Sequence, residues 1–233
     1  MTAKIKGLTL PNKQWALYSP EEESAIIDLA PTGILLLSYP GSSILRDKVA
    51  QDCRLWRELG EGTKVLLRPY SDHLREWDPV EWADACLDLI DLYVKQGIPR
   101  SQLELIPANE MNIEGWGTDW KSAIDWLNTV GDWVRYWSPQ TTQHIPAPSP
   151  DVEEEYLEGY RVFAMWFNWN CFTKVDAHVY TLDQAARLPG IQARFGLPLV
   201  VTEYNRMYPS TLLRTYRQYD WFEGAYWFIL SGD

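Results

Sequence analysis

The chain has 233 residues, 46% of them hydrophobic and 23% charged, a size and composition that suit one α/β domain with a substantial core. Its net charge of −11 argues against nucleic acid or an anionic membrane surface as partner, and no long uncharged apolar run suggests a membrane span. Three cysteines (Cys53, Cys86 and Cys171) at unrelated spacings make neither a disulfide framework nor a zinc motif and read as reduced, buried thiols. The opening "MTAKIKGLTLPNKQW" lacks the apolar core of a signal peptide, so none is expected and localisation stays open.

Apolar runs of strand length alternate with longer helical patterns along the whole chain. Strands are expected at Trp15–Tyr18, Gly33–Tyr39, Lys64–Tyr70, Leu103–Glu110, Thr141–Ala147, Val175–Thr181, Pro198–Tyr204 and Gly224–Leu230. The first helix, "SPEEESAIIDLA", opens on Ser19 with Pro20 at its first position and acids in its first turn, as the helix dipole favours. Residues 44–59 give a second helix. The third, "DPVEWADACLDLIDLYVKQG", opens on Asp78-Pro79 and stops at Gly97, with Trp82, Ala85, Leu89, Leu92 and Tyr93 along one stripe. Residues 118–137, the acidic-started "SPDVEEEYLEGYRVFAMWF", and residues 182–195 and 209–222 complete seven.

Eight strands alternating with seven helices imply parallel pairing, and eight strands close a barrel. A doubly wound open sheet would usually place a glycine-rich phosphate loop after its first strand, whereas "YSPEEES" is acidic. The expected fold is therefore a single compact (β/α)8 TIM barrel spanning residues 1–233. After the eighth strand only Ser231-Gly232-Asp233 remain, too few for an eighth helix. That strand presents Tyr226, Phe228 and Leu230 on one face and Ala225, Trp227 and Ile229 on the other. One face fills the barrel. The other needs a cover, expected from the N-terminal segment or from a second subunit in a homodimer.

Two apolar strands end on acids: "ELIPANEMN" delivers Asn109 and Glu110, and "PLVVTEYN" delivers Glu203. Burying a carboxylate costs several kcal/mol unless it is paired or hydrogen-bonded (~3–5 when a partner is missing). An Asn-Glu pair taken alone reads most simply as a solvated loop or a helix cap. Two glutamates at the ends of strands four and seven, however, both face the rim where barrel enzymes place their chemistry. Two carboxylates in one pocket suit glycosidic cleavage, one protonating the leaving oxygen and one attacking carbon or activating water.

With Asn109-Glu110 ending strand four and Glu203 ending strand seven, the chain resembles the "4/7" superfamily of glycoside hydrolases, clan A. The resemblance spans all eight strands, although the motif itself is a few residues. It implies a retaining hydrolase of O-glycosidic bonds, β-configured, in oligo- or polysaccharides, with Glu110 as acid/base, Glu203 as nucleophile and Asn109 donating to the sugar 2-hydroxyl. It further implies that Tyr180 of "VDAHVYT" holds the nucleophile, that His178 lines the pocket, and that Trp227 of "GAYWFIL" floors the sugar site. The family's arginine near the end of strand two is absent from "LLLSYP"; Arg68 in "VLLRPY" ends strand three and is expected to line the site instead.

The residues support these roles separately. Asp176, His178 and Tyr180 share one face of strand six by the two-residue period. Glu110 is expected to be held protonated, since Pro107, Ala108 and Met111 solvate a charge poorly and Glu203 is near. Trp116 and Trp120, just after Glu110, either stack on sugar or cover the core. Trp56, Trp82, Trp126, Trp133 and Trp166 are expected to pack on the barrel, His73 and His144 to lie near the rim, and Glu114, Asp119 and Glu223 to be surface charges. No cofactor and no metal is expected, because strand one has no His-x-His pair. The partner is a carbohydrate substrate. The rival reading is a carbohydrate-binding barrel without turnover.

Overall fold

A computed structural model describes residues 4–10, 17–71, 73–204 and 209–228. Eight parallel strands close on themselves in chain order: β1 Ile5–Thr9, β2 Gly33–Ser38, β3 Lys64–Pro69, β4 Leu103–Leu105, β5 Thr142–Ile145, β6 Phe172–Val179, β7 Leu199–Tyr204 and β8 Phe222–Phe228. Closure is made by β1 against β8, with Ile5 opposite Gly224 and Thr9 opposite Phe228. The helices are α1 Pro20–Leu29, α2 Leu45–Leu59, α3 Pro79–Lys95, α4 Trp120–Trp137, α5 Glu153–Trp166, α6 Leu182–Phe195 and α7 Pro209–Tyr216. None of the described helices is long and apolar enough to cross a membrane.

The expected barrel is present, with one strand displaced. The first strand is Ile5–Thr9, not Trp15–Tyr18; Trp15 and Ala16 lie outside the described residues, and Leu17 and Tyr18 are not strand. The expected end of β8 at Ile229 and Leu230 also lies outside them. Helix starts follow the sequence signals closely. Ser19 and Glu22 form a reciprocal capping box, Asp78 accepts from the amides of Val80 and Glu81, and Thr181 with Gln184 caps α6. Several elements are shorter than their patterns: β4 stops at Leu105, so Asn109 and Glu110 follow the strand instead of ending it, β5 spans only Thr142–Ile145, α5 begins at Glu153, after a turn, and α7 ends at Tyr216.

Side chains alternate between two apolar layers. Ile5, Leu35, Leu37, Leu66, Ile106, Val200 and Tyr226 fill the barrel lumen, while Leu8, Leu36, Val65, Leu67, Val175, Ala177 and Val201 face outward under the helices. Trp56, Trp82 and Trp126 join that outer layer as expected; Trp166 does not, being 65% exposed. Below the mouth, the lumen also holds a buried ionic group. Glu104 is bonded to His144 Nε2 at 2.8 Å and to Lys174 Nζ at 2.8 and 2.9 Å, and Lys174 also pairs with Glu223. Burial opposes ionisation of Glu104, but His144 and Lys174 outweigh it and bring its pKa down to about 2. Glu223 is thus a member of this group and not a free surface charge.

Tyr226 is buried in the lumen, and its ring lies directly over two glycines. A Cβ at Gly7 would sit 2.2 Å from Tyr226 Cδ1, and one at Gly33 would sit 2.7 Å from its hydroxyl. Glycine is needed at both positions for room. Gly7→Ala should therefore destabilise the fold by about 1–3 kcal/mol through overpacking. Urea melts should show this loss, with part of it recovered in the Gly7→Ala, Tyr226→Leu double variant.

Candidate active site at the barrel mouth

Arg68 rises from β3 into the upper lumen and is 1% exposed. Its guanidinium pairs with Glu203 through Nη1, while Nη2 reaches Asp176 at 3.2 Å, His178 Nε2 at 3.1 Å and Thr202 Oγ1 at 2.6 Å. Thr202 in turn donates to Asp176. One cation thus gathers side chains of β6 and β7. Burial works against its charge, but Glu203 and Asp176 more than compensate and raise its pKa.

Thr202 and Glu203 are consecutive, yet both meet Arg68, which strict alternation along a strand forbids. A bulge in β7 resolves this. Ala177 pairs with Val201 but His178 pairs with Glu203, leaving Thr202 as the extra residue. The same two residues face the single Tyr226 on β8, between the Val201–Ala225 and Tyr204–Trp227 pairs. On β6 the backbone is held from behind by α5, where Tyr160 donates to the Asp176 carbonyl at 2.8 Å and Tyr156 to the His178 carbonyl at 2.9 Å. Thr9 on β1 fixes the bulge itself, donating to the Thr202 carbonyl at 2.7 Å.

Arginine can only donate, so neutral His178 accepts from it at Nε2 and carries its hydrogen on Nδ1, which bears a hydrogen in the protonated ring as well. That nitrogen lies 2.7 Å from Glu110 Oε1 and therefore donates to it. The Tyr180 hydroxyl lies between both glutamates, 3.0 Å from Glu203 Oε2 and 3.3 Å from Glu110 Oε1. Ligand atoms of Glu110, His178 and Glu203 all fall within 4.8 Å of one another. Such a triangle can suggest a cation site. Here His178 is already engaged through both nitrogens, with Arg68 and with Glu110, and Glu203 is paired with Arg68, so a metal would have to break the network to enter.

Burial pushes Glu110 toward neutrality, but the His178 hydrogen bond and charge, with Arg68 and Ser149, outweigh it and hold its pKa below the ordinary value. This corrects the expectation of a protonated Glu110: the apolar neighbours are real, and the donors across the mouth prevail. His178 moves the other way. Burial lowers its pKa, and the charges of Glu203, Glu110 and Asp176 raise it above the ordinary value.

Six of the eight residues singled out from sequence converge here or beside it: Glu110, Glu203, Arg68, His178, Tyr180 and Asn109, which follows β4 next to Glu110. Two do not. Trp116 is 4% exposed, its ring tilted over Trp126 at 5.3 Å, so it covers the core and offers no face to a sugar. Trp227 pairs with Leu8 and Tyr204 of the outer layer and alternates with the inward Tyr226, so it stands 37% exposed on the outward face. His144 belongs to the Glu104 group below, and His73 is an exposed side chain near Glu76.

Sequence reading missed Glu114. It was expected at the surface, but it accepts a hydrogen bond from Asn109 Nδ2 at 2.8 Å, and its backbone amide closes back onto the Glu110 carbonyl. Burial raises its pKa; the Asn109 bond opposes this, Glu110 adds to it, and the result is about 7. Asp176 and Thr202 were missed as the anchors of Arg68. The spacing Asp176, His178, Tyr180 already placed Asp176 on the correct face.

No protein-family model and no curated protein matches the chain. Among solved structures, a mannohexaose complex of β-mannanase from Thermomonospora fusca is similar over 99% of this chain and 79% of its own, at 15% identity and TM-score 0.58. A thermostable, halotolerant GH5 cellulase from an Icelandic hot spring isolate matches over 98% of this chain and 75% of its own, at 12% identity and TM-score 0.64. A mandelate racemase/muconate lactonizing enzyme-like protein from Rubrobacter xylanophilus matches over 98% and 54%, at 11% identity and TM-score 0.56. These likenesses establish the (β/α)8 barrel. Because the same barrel carries unrelated chemistries, function has to be argued from the site.

Two outcomes test the geometry. Arg68→Met should cost about 3–5 kcal/mol, because it leaves Glu203 and Asp176 buried without their cation, and denaturant titration measures it. His178→Phe removes the donor that favours the Glu110 carboxylate, so Glu110 should titrate at higher pH, read from its side-chain carbon resonance.

Proposed function

We propose that this barrel is a retaining glycoside hydrolase acting on O-glycosidic, β-configured bonds, with Glu203 as nucleophile and Glu110 as acid/base. The observation that carries the reading is the approach of the two carboxyl groups. Their oxygens come within 4.8 Å and share the Tyr180 hydroxyl, which favours direct attack over the roughly 6.5–9.5 Å gap an interposed water requires. The similarity of the whole barrel to a mannanase and a cellulase supports the same class.

In the first step a Glu203 oxygen bonds to the anomeric carbon, the glycosidic C–O bond breaks, and the Glu110 proton passes to the leaving oxygen. Arg68 and Tyr180 hold Glu203 in place by bonds to different oxygens, Nη1 to Oε1 and the hydroxyl to Oε2. In the second step Glu110 takes a proton from water, the water oxygen bonds to the anomeric carbon, and Glu203 is released. His178 keeps one Glu110 oxygen occupied throughout, which leaves Oε2 for the moving proton. Asn109, adjacent to Glu110, is the donor this reading assigns to the sugar 2-hydroxyl, a role for which Nδ2 must leave Glu114.

The ionised state of Glu110 in the free protein favours one second reading, a barrel that binds carbohydrate without cleaving it. Hydrolysis of activated aryl glycosides separates the two. The enzyme reading expects Glu203-dependent release, with the first-formed product retaining its anomeric configuration by proton NMR. Binding without release would support the module, and inversion would overturn the retaining mechanism. Glu110→Gln should slow poor leaving groups far more than good ones; equal losses would remove Glu110 from the acid role.

The pH dependence has a definite sign. Glu110 must be protonated to act as acid, and its pKa in the free protein is lowered. Activity as kcat/KM is then greatest at acidic pH and falls as pH rises through a value below the ordinary carboxylate pKa. His178→Phe should move that fall to higher pH.

A further inference from the structure

Asn109 and Glu114 form a pair whose hydrogen bonding is incomplete. The amide nitrogen of Asn109 donates to Glu114 Oε1 at 2.8 Å, while its oxygen, Oδ1, is buried and has no partner among the described residues. An unsatisfied buried acceptor is unfavourable, and the group beside it is a carboxyl that gains a donor hydrogen on protonation.

The turn carrying Glu114 is held on several sides. It spans Asn112–Trp116 directly after Glu110, with Gly115 at φ +116°, a conformation suited to glycine. Arg75 donates to the Gly115 carbonyl at 2.7 Å and reaches Asp119, which caps α4. Asn112 accepts from the Ser149 amide at 2.7 Å and donates to Glu155 at 3.2 Å, pinning the turn to the start of α5. Glu114 is thus presented to Asn109 by a fixed backbone. The charged groups that act on it are Glu110 and Glu203, which disfavour its ionisation, and Arg68, which favours it.

We propose that Glu114 is a positioning residue for Asn109: ionised, it clamps the amide by its nitrogen; protonated, it donates to Oδ1 and frees an amide N–H for the sugar. A carboxylate can only accept, so it must bind Nδ2. A carboxylic acid offers its O–H to the orphaned oxygen, and half a turn of the amide then releases Nδ2 from Glu114. With its pKa near 7, Glu114 makes this exchange around neutrality. Asn109 is the donor assigned to the sugar 2-hydroxyl above, so the consequence for substrate rests on that reading, while the Asn109–Glu114 exchange does not.

The experiment has two arms. In the first, the side-chain NH2 resonances of Asn109, assigned by their loss in Asn109→Asp, are followed between pH 5 and 9 in the free protein. They should shift with a midpoint near 7, and Glu114→Gln, which cannot ionise, should abolish the shift. Constant resonances, or a shift that persists in Glu114→Gln, would overturn the proposal. Glu114→Ala, checked by thermal melting, repeats the test should the glutamine variant fold poorly. In the second arm, the preference for an aryl glycoside over its 2-deoxy analogue should fall roughly tenfold as pH rises past 7, the value of about one hydrogen bond. A preference that does not change with pH would overturn the substrate part. Absence of hydrolysis with an intact NMR titration would sink the glycosidase reading and leave the exchange standing.

Discussion

The mouth of this barrel depends on one buried cation. Arg68 is surrounded by Glu203, Asp176, His178 and Thr202, and each of those contacts constrains something else. Because arginine has donors only, neutral His178 accepts from it at Nε2 and turns its Nδ1 hydrogen toward Glu110. Because its charge is taken out of water, it demands carboxylates in return, and these come from β6 and β7. A buried ion group of this kind adds little net stability, since desolvation offsets attraction. What it supplies is a single arrangement of side chains.

That arrangement needs help from the backbone. A regular β7 would send either Thr202 or Glu203 away from Arg68, and the bulge at this pair turns both inward. The neighbouring β6 is held by tyrosine hydroxyls of α5 that bond to the carbonyls of Asp176 and His178, the two residues that touch Arg68. The outer layer of the protein thereby sets the position of its inner polar face. Below, the Glu104, His144 and Lys174 group repeats the solution with local charge balance, in a lumen otherwise filled by apolar side chains.

Three glutamates, one below the mouth and two beside it, show that surroundings, not residue type, set protonation. Glu104 and Glu110 are buried beside nitrogen donors and stay ionised, whereas Glu114 has one neutral amide for company and two acidic neighbours. A carboxyl that gives up its charge at neutral pH beside two that keep theirs is the usual division of labour in acid/base sites, although here the neutral member follows the first glutamate by one turn of chain.

The alternation of apolar runs with capped helices was enough to specify an eight-stranded barrel, because period and capping are local properties of the chain. So were the β7 run carrying Glu203 and the shared face of Asp176, His178 and Tyr180, whereas Glu110 lies beyond the end of β4 at Leu105 and not at a strand end. The first strand was hidden, since "IKGLT" alternates around a glycine and a lysine; only the ring of Tyr226, more than two hundred residues away, explains why Gly7 must be bare. Likewise the outward side of Trp227 and the burial of Trp116 follow from strand pairing and from packing on Trp126, neither of which a motif contains. The protonation of Glu110 and Glu114 was decided entirely by tertiary structure. A pKa responds to whichever donors and charges the fold brings within a few ångströms, and His178, Arg68 and Glu203 reach this pair from strands remote in sequence.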